Sequence, residues 1–172
     1  SFVLSMLGFC ASDLEETNGG GYLPYLSMEY LRGESESAFF RNDLNAVKVR
    51  DGQLLLLWDG SNAGEFILGK EGYLSSTMVK LEIEDLNKTY SKYLCLAFEQ
   101  LLRDLTIGMG IPHVNGDVLG NIRINIPSKD EQKSIVDFLD KKTTNINGLL
   151  ERDKHLIELL TEKRIALINK NR

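Results

Sequence analysis

The spacing of apolar residues changes character along the chain, predicting short strands first and helices afterwards. Leu23 to Leu31 alternates well enough for a strand and a turn. Val47-Lys48-Val49-Arg50 alternates, Asp51-Gly52 offers a hairpin turn, and Leu54 to Trp58 is an unbroken apolar run that predicts a buried strand. Asp59 to Gly64 predicts a second turn, Glu65 to Leu68 a returning strand, and Gly69 to Gly72 a third turn before the extended stretch Tyr73 to Ile83. Strands this short and this evenly spaced predict an antiparallel sheet or partial barrel. From Asp85 to Leu105 the period lengthens: Leu86, Tyr90, Tyr93-Leu94, Ala97-Phe98 and Leu101-Leu102 recur at helical spacing, an aromatic stripe best read as core. Ile122 to Ile126 alternates again and predicts a last strand.

Beyond Pro127 the pattern is helical to the end. Ser128-Lys129-Asp130-Glu131 has the form of a capping box, in which a Ser hydroxyl and a Glu carboxylate each satisfy the other residue's amide. This predicts a short helix ending near Asp140, then a longer one over about 145–170 capped by Thr143 or Thr144. Along the longer helix Ile146, Leu149, Leu150, Leu156, Ile157, Leu160 and Leu167 fall close to a 3.5-residue repeat, interrupted by Asp153 and by Lys163-Arg164. About 25 residues make a rod of roughly 37 Å. A stripe that long needs a partner surface, and coiled-coil pairing with another helix supplies one. The alternative is that the stripe packs on its own domain.

The same residues carry a family resemblance. Ile126-Pro127, Glu131-Gln132, Ile135 and Phe138-Leu139-Asp140, continued by the seam and by Ala166-Leu167-Ile168, resemble the conserved helical region of specificity (S) subunits of type I restriction-modification enzymes. The turns and strands between Val47 and Ile83 are similar to the core of the target recognition domains in those subunits. The resemblance implies an α+β chain. Residues 1–128 would form a mixed or antiparallel, β-rich target recognition domain with packed helices, and 129–172 the conserved helical region. It implies a DNA sequence-specificity subunit that reads half of a bipartite site in double-stranded DNA and docks the modification (methyltransferase) subunits. Family members usually carry two recognition domains and two such helices, whereas this chain has one of each. As a fragment or a half-subunit, it is expected to pair through its exposed seam, most simply as a two-fold antiparallel dimer.

Charge complicates that expectation. Residues 1–128 hold 17 acidic against 10 basic residues, a net −7, and the remainder +2. Phosphate neutralisation dominates DNA affinity, so bulk charge cannot hold DNA here. Either basic residues cluster locally or a partner supplies the backbone grip. No apolar run approaches the ~20 residues that cross a bilayer, and the first residues lack a basic signal-peptide head, which predicts a cytoplasmic protein. Cys10 and Cys95 lack metal-binding spacing and are expected to be buried free thiols.

No catalytic set emerges. His113 and His155 stand far apart in sequence, Gly108-Met109-Gly110 lacks the strand that must precede a dinucleotide fingerprint, and Asp59, Glu82 and Glu84 are better read as solvated carboxylates than as a nuclease cluster. The chain is therefore expected to be non-catalytic, with no cofactor and no metal. Base edges are read by polar side chains on loops. The candidates are Arg32, Arg41, Ser61, Asn62, Lys70, Tyr73, Ser75, Ser76, Thr77, His113 and Asn115. The competing function is a coiled-coil scaffold whose globular part binds protein instead of DNA.

Overall fold

A computed structural model describes residues 2–7, 22–40, 46–83 and 86–170. The chain divides into two units, 1–126 and 127–172. The first contains strands β1 (Phe2–Leu7), β2 (Leu23–Leu26), β3 (Phe39–Phe40), β4 (Lys48–Val49), β5 (Leu54–Leu57), β6 (Phe66–Leu68), β7 (Gly72–Leu74) and β8 (Met78–Ile83). Its helices are α1 (Met28–Arg32), α2 (Lys88–Asp104) and α3 (Gly116–Asn121). One sheet, ordered β1-β8-β5-β6, is antiparallel throughout. The other, ordered β3-β2-β7-β4, is mixed, because β2 runs parallel to β7. The α+β class expected from the sequence is the class observed.

The apolar run Leu54 to Leu57 is explained by its position. A strand covered on one face alternates, while one covered on both is continuously apolar. Leu55 and Leu57 enter one buried cluster with Leu26, Met28, Leu31, Val49, Leu74 and Met78. Leu56 enters a second, with Leu81 and with Cys95 and Leu102 of α2. β5 thus forms a wall common to both cores.

Four local expectations are corrected. The Asp51-Gly52 turn exists, with Gln53 N–H donating to the Arg50 carbonyl at 3.1 Å, but the strands it joins do not pair. β4 pairs instead with β7, while β5 pairs with the expected returning strand β6 and, on its other edge, with β8. Residues 27–32 are not part of an extended segment: Ser27 accepts the Tyr30 amide at 3.2 Å and starts α1, which Gly33 closes at φ 77°. Ile122 to Ile126 forms no strand and pairs with none of the described strands. The two helices expected after Pro127 are one, α4 (Lys129–Lys170), 42 residues and about 63 Å long.

The last correction has a clear cause. Thr143 does not cap; its hydroxyl donates back to the Leu139 and Asp140 carbonyls at 2.9 and 3.1 Å. That is the way a Ser or Thr satisfies itself inside a helix, and nothing in 141–145 is a breaker. The capping box itself forms, with Ser128 N–H donating to the Glu131 carboxylate at 2.9 Å and the Glu131 amide donating to Ser128 Oγ at 3.4 Å, while Gln132 Nε2 separately donates to the Pro127 carbonyl at 2.9 Å. The Ser128 hydroxyl and then its amide hold the Glu131 carboxyl below its usual range.

The Gly19-Gly20-Gly21 turn and Cys10 lie outside the described residues. Cys95 is a buried free thiol, 2% exposed, and burial pushes it up to about 12. A thiolate is the nucleophile, so Cys95 is expected to resist iodoacetamide at pH 8 in the folded chain and to react once urea unfolds it. Peptide-resolved mass spectrometry reads this directly, and rapid labelling in native buffer would contradict the burial.

Candidate nucleic-acid interface

Side chains far apart in sequence converge on one cleft of about 330 Å³ in the first unit. Its walls are the end of α1, the turn between β5 and β6, and the turn between β7 and β8. Of the sequence candidates, Arg32, Ser61, Asn62, Ser75 and Thr77 line it, joined by Glu29 and Asp59. The ends of α1 and β5 thus deliver arginine, asparagine and hydroxyl groups to a common opening.

Arg32 is held in place. Its guanidinium donates to the Glu65 carboxylate, which also receives Arg103 of α2 at 3.2 Å. Glu99 receives Arg103 Nε at 3.1 Å and the Phe66 amide at 3.2 Å. The chain Arg32-Glu65-Arg103-Glu99 therefore ties α1, the β5–β6 turn and α2 together. The same turn approaches α2 closely at Gly64, where φ is 97° and a Cβ would stand 2.9 Å from the Arg103 amide nitrogen. A side chain there meets both backbone strain and backbone atoms. Glu29, hydrogen-bonded by its own amide and then by the Ser27 hydroxyl, has its carboxyl held below the usual range.

The β7–β8 turn is equally fixed. The Tyr25 hydroxyl lies 3.2 Å from Ser75 Oγ, which lies 3.0 Å from Thr77 Oγ1. The Thr77 carbonyl accepts the Trp58 and Asp59 amides at 2.8 and 3.2 Å. Ser75 is 5% exposed and braces the turn, leaving Thr77 as the exposed hydroxyl.

Residues 8–159 match the family described as the type I restriction modification DNA specificity domain. The chain belongs to that family. It is 41% identical over 152 residues to the type I restriction enzyme MjaVIII specificity subunit of Methanocaldococcus jannaschii, a stretch covering 87% of this chain and 35% of that subunit. The chain thus spans about a third of the curated relative it matches. Similar folds occur in a chain from a study of complex assembly and conformational transition of the type I R-M system (TM-score 0.67, 18% identity, 86% of this chain and 37% of that one). The HsdS subunit from Thermoanaerobacter tengcongensis gives 0.62, 17%, 87% and 36%. The S subunit from M. genitalium gives 0.58, 19%, 87% and 39%.

Within this specificity domain the other candidates fall elsewhere. Tyr73 is a correction: it sits on β7, fully buried, because the parallel pairing with β2 places it inside the sheet. Lys70 is exposed, its ammonium 4.7 Å from the centre of the Tyr30 ring. Ser76 is half-buried in the β7–β8 turn. Asn115 caps α3, its side-chain oxygen accepting the Asp117 and Val118 amides at 3.1 and 3.3 Å. His113 is half-buried and its backbone bridges Ile107 and Asp59. Arg41 lies outside the described residues, as does Glu84.

Two features escaped the sequence. Glu65, which holds Arg32, carries no local signal; only the fold brings it there. A second cleft of about 340 Å³ is lined by Arg50, Lys88 and Lys92 with an apolar floor including Leu54 and Leu81. Asp51 lines the same cleft, so its rim carries three basic groups and one acidic one. Separately, in the second unit, Ile146, Leu149, Leu150, Leu156, Ile157, Leu160 and Leu167 are each 52–63% exposed. No helix among the described residues is long and apolar enough to cross a membrane.

Proposed function

We propose that this chain is a sequence-reading part of a type I restriction-modification specificity subunit. The 1–126 unit reads half of a bipartite target in double-stranded DNA and performs no bond-making itself. The 41% identity to a specificity subunit over most of the chain carries the reading. The geometry supports it: Arg32, Asn62, Ser61 and Thr77 present hydrogen-bonding groups from fixed turns into one cleft, which is what base-edge readout requires. Arg50, Lys88 and Lys92 offer a place for backbone phosphates despite the net acidity. The helix α4 joins this reader to a second one, on another copy or another part of a longer subunit, and contributes to docking the modification subunits. Its half-exposed seam supports pairing with another helix.

The test is to assemble the chain with modification subunits and map methylated sites on random-sequence DNA. A bipartite motif, one half of which changes when 1–126 is exchanged for that of another family member, is the expected result. Assembly without any sequence-selective methylation or footprint would overturn the reading in favour of a protein-binding scaffold.

A further inference from the structure

Residues 105–113, between α2 and α3, expose more apolar surface than their setting explains. Met109 is 105% exposed, Ile111 70% and Ile107 47%. Exposed loop residues of this kind usually sit on loose chain, but this loop stands on a fixed base. Ile107 and His113 exchange both backbone hydrogen bonds, at 2.9 and 2.8 Å, closing the loop into a narrow tongue. Immediately below, Val114 is buried and its amide donates to the Trp58 carbonyl at 2.9 Å. The tip is shaped by Gly108 and Gly110, at φ 110° and 106°. A Cβ at Gly108 would stand 2.6 Å from the Ile111 carbonyl oxygen and 2.8 Å from the His113 ring. The two glycines flank Met109 and leave it the most exposed side chain of the tongue, with Ile111 next.

Its position narrows what it can meet. The Gly60 amide donates to the Pro112 carbonyl at 2.9 Å and Asp59 bridges to His113, so the tongue is fastened to the turn that carries Ser61 and Asn62. An apolar point rises directly beside the hydrogen-bonding cleft. Three side chains on a strip this thin fall well short of the about 800 Å² that a stable protein interface takes from each partner. A duplex groove with a separable base step is a narrow receptor that matches a one-residue point. Apolar wedges, methionine and isoleucine among them, enter such steps and offset the cost of unstacking by the added contact. An acidic reader gains most from a contact that does not depend on phosphate attraction.

We infer that the 105–113 tongue is a wedge, with Met109 inserting into a base step of duplex DNA next to the bases read by the cleft. This rests on the DNA-reading proposal above. It places a flexible pyrimidine–purine step, which unstacks most easily, in or beside the half-site.

The test uses the assembled complex and duplexes carrying its mapped methylation target, with 2-aminopurine placed at successive positions. Wild type is expected to brighten one step and to bend the duplex. Met109→Ala is expected to lose that signal and weaken binding by about tenfold, while Met109→Leu keeps both. Because Met109 touches solvent only, neither change threatens folding. An Ala variant equal to wild type in fluorescence, bend and affinity overturns the wedge alone. An Ala variant that binds DNA normally but no longer retains the modification subunits overturns it in favour of a protein contact. A wild-type complex that selects no duplex at all overturns both proposals together.

Discussion

Replacing Ile157 and Leu160 together by aspartate is expected to abolish pairing through α4 while leaving the 1–126 unit folded. Both side chains are exposed in the single chain, at 63% and 55%, so their loss removes nothing from its cores. In a two-fold pair each is covered twice. Full burial of an isoleucine or leucine contributes about 1.5–3 kcal/mol; with a little over half of each left to cover, four such side chains supply roughly 3.5–7 kcal/mol, about 2.5 to 5 orders of magnitude in the association constant. The new carboxylates would also lose water on pairing, which opposes it further. Sedimentation velocity reads the change in association, and the near-ultraviolet spectrum of Trp58 reports on the globular unit. A wild-type chain that sediments as a monomer at all concentrations and with every partner fragment tested would remove the seam from the mechanism.

The second large effect concerns Arg32. Arg32→Ala is expected to weaken binding to the cognate half-site by about 5- to 150-fold, the range that 1–3 kcal/mol of bidentate base recognition gives. Non-cognate DNA should be held almost as before. Glu65→Gln makes a sharper comparison, because it leaves the arginine in place and removes what fixes it. The Glu99 carboxylate still accepts the Phe66 amide after that change, so α2 keeps part of its anchor to β6. A guanidinium freed from Glu65 must be ordered again on binding, and selectivity should fall more than overall affinity. Competition between cognate and scrambled duplexes separates the two effects. If both variants match wild type on the cognate site, Arg32 is a structural residue and Asn62 and Thr77 must carry the readout.

Much of this architecture was legible in the residues, and the failures share a cause. The run Leu54 to Leu57 could be read as a buried strand because burial on both faces leaves its mark locally. Only one of its partners could: β5 bonds to β6, the strand returning after the Asp59–Gly64 turn, but also to β8, and the adjacent β4 bonds to β7, a choice made by the whole core. Helix α1 is only five residues long, too short to show a period, and it lay hidden in an alternating segment. Thr143 fits a cap or a helix interior equally well by composition; only the path of the backbone decides. The helical seam was readable throughout because its period repeats many times. The cleft was the least legible part. Arg32, Asn62 and Thr77 are separated by long stretches of sequence, and Tyr73, four residues from Thr77, points into the core instead. Nothing in their spacing distinguishes those outcomes.

The strand shared by both cores has a consequence for how such a reader diversifies. β5 runs straight into the turn holding Ser61 and Asn62, so a deeply anchored segment supports one wall of the cleft. Ser61 is exposed and Asn62 half-buried, whereas Gly64, two residues after Asn62, meets the Arg103 backbone at 2.9 Å if given a Cβ. New target preferences can therefore arise at a few tolerant positions on an unchanged frame, at little risk to folding.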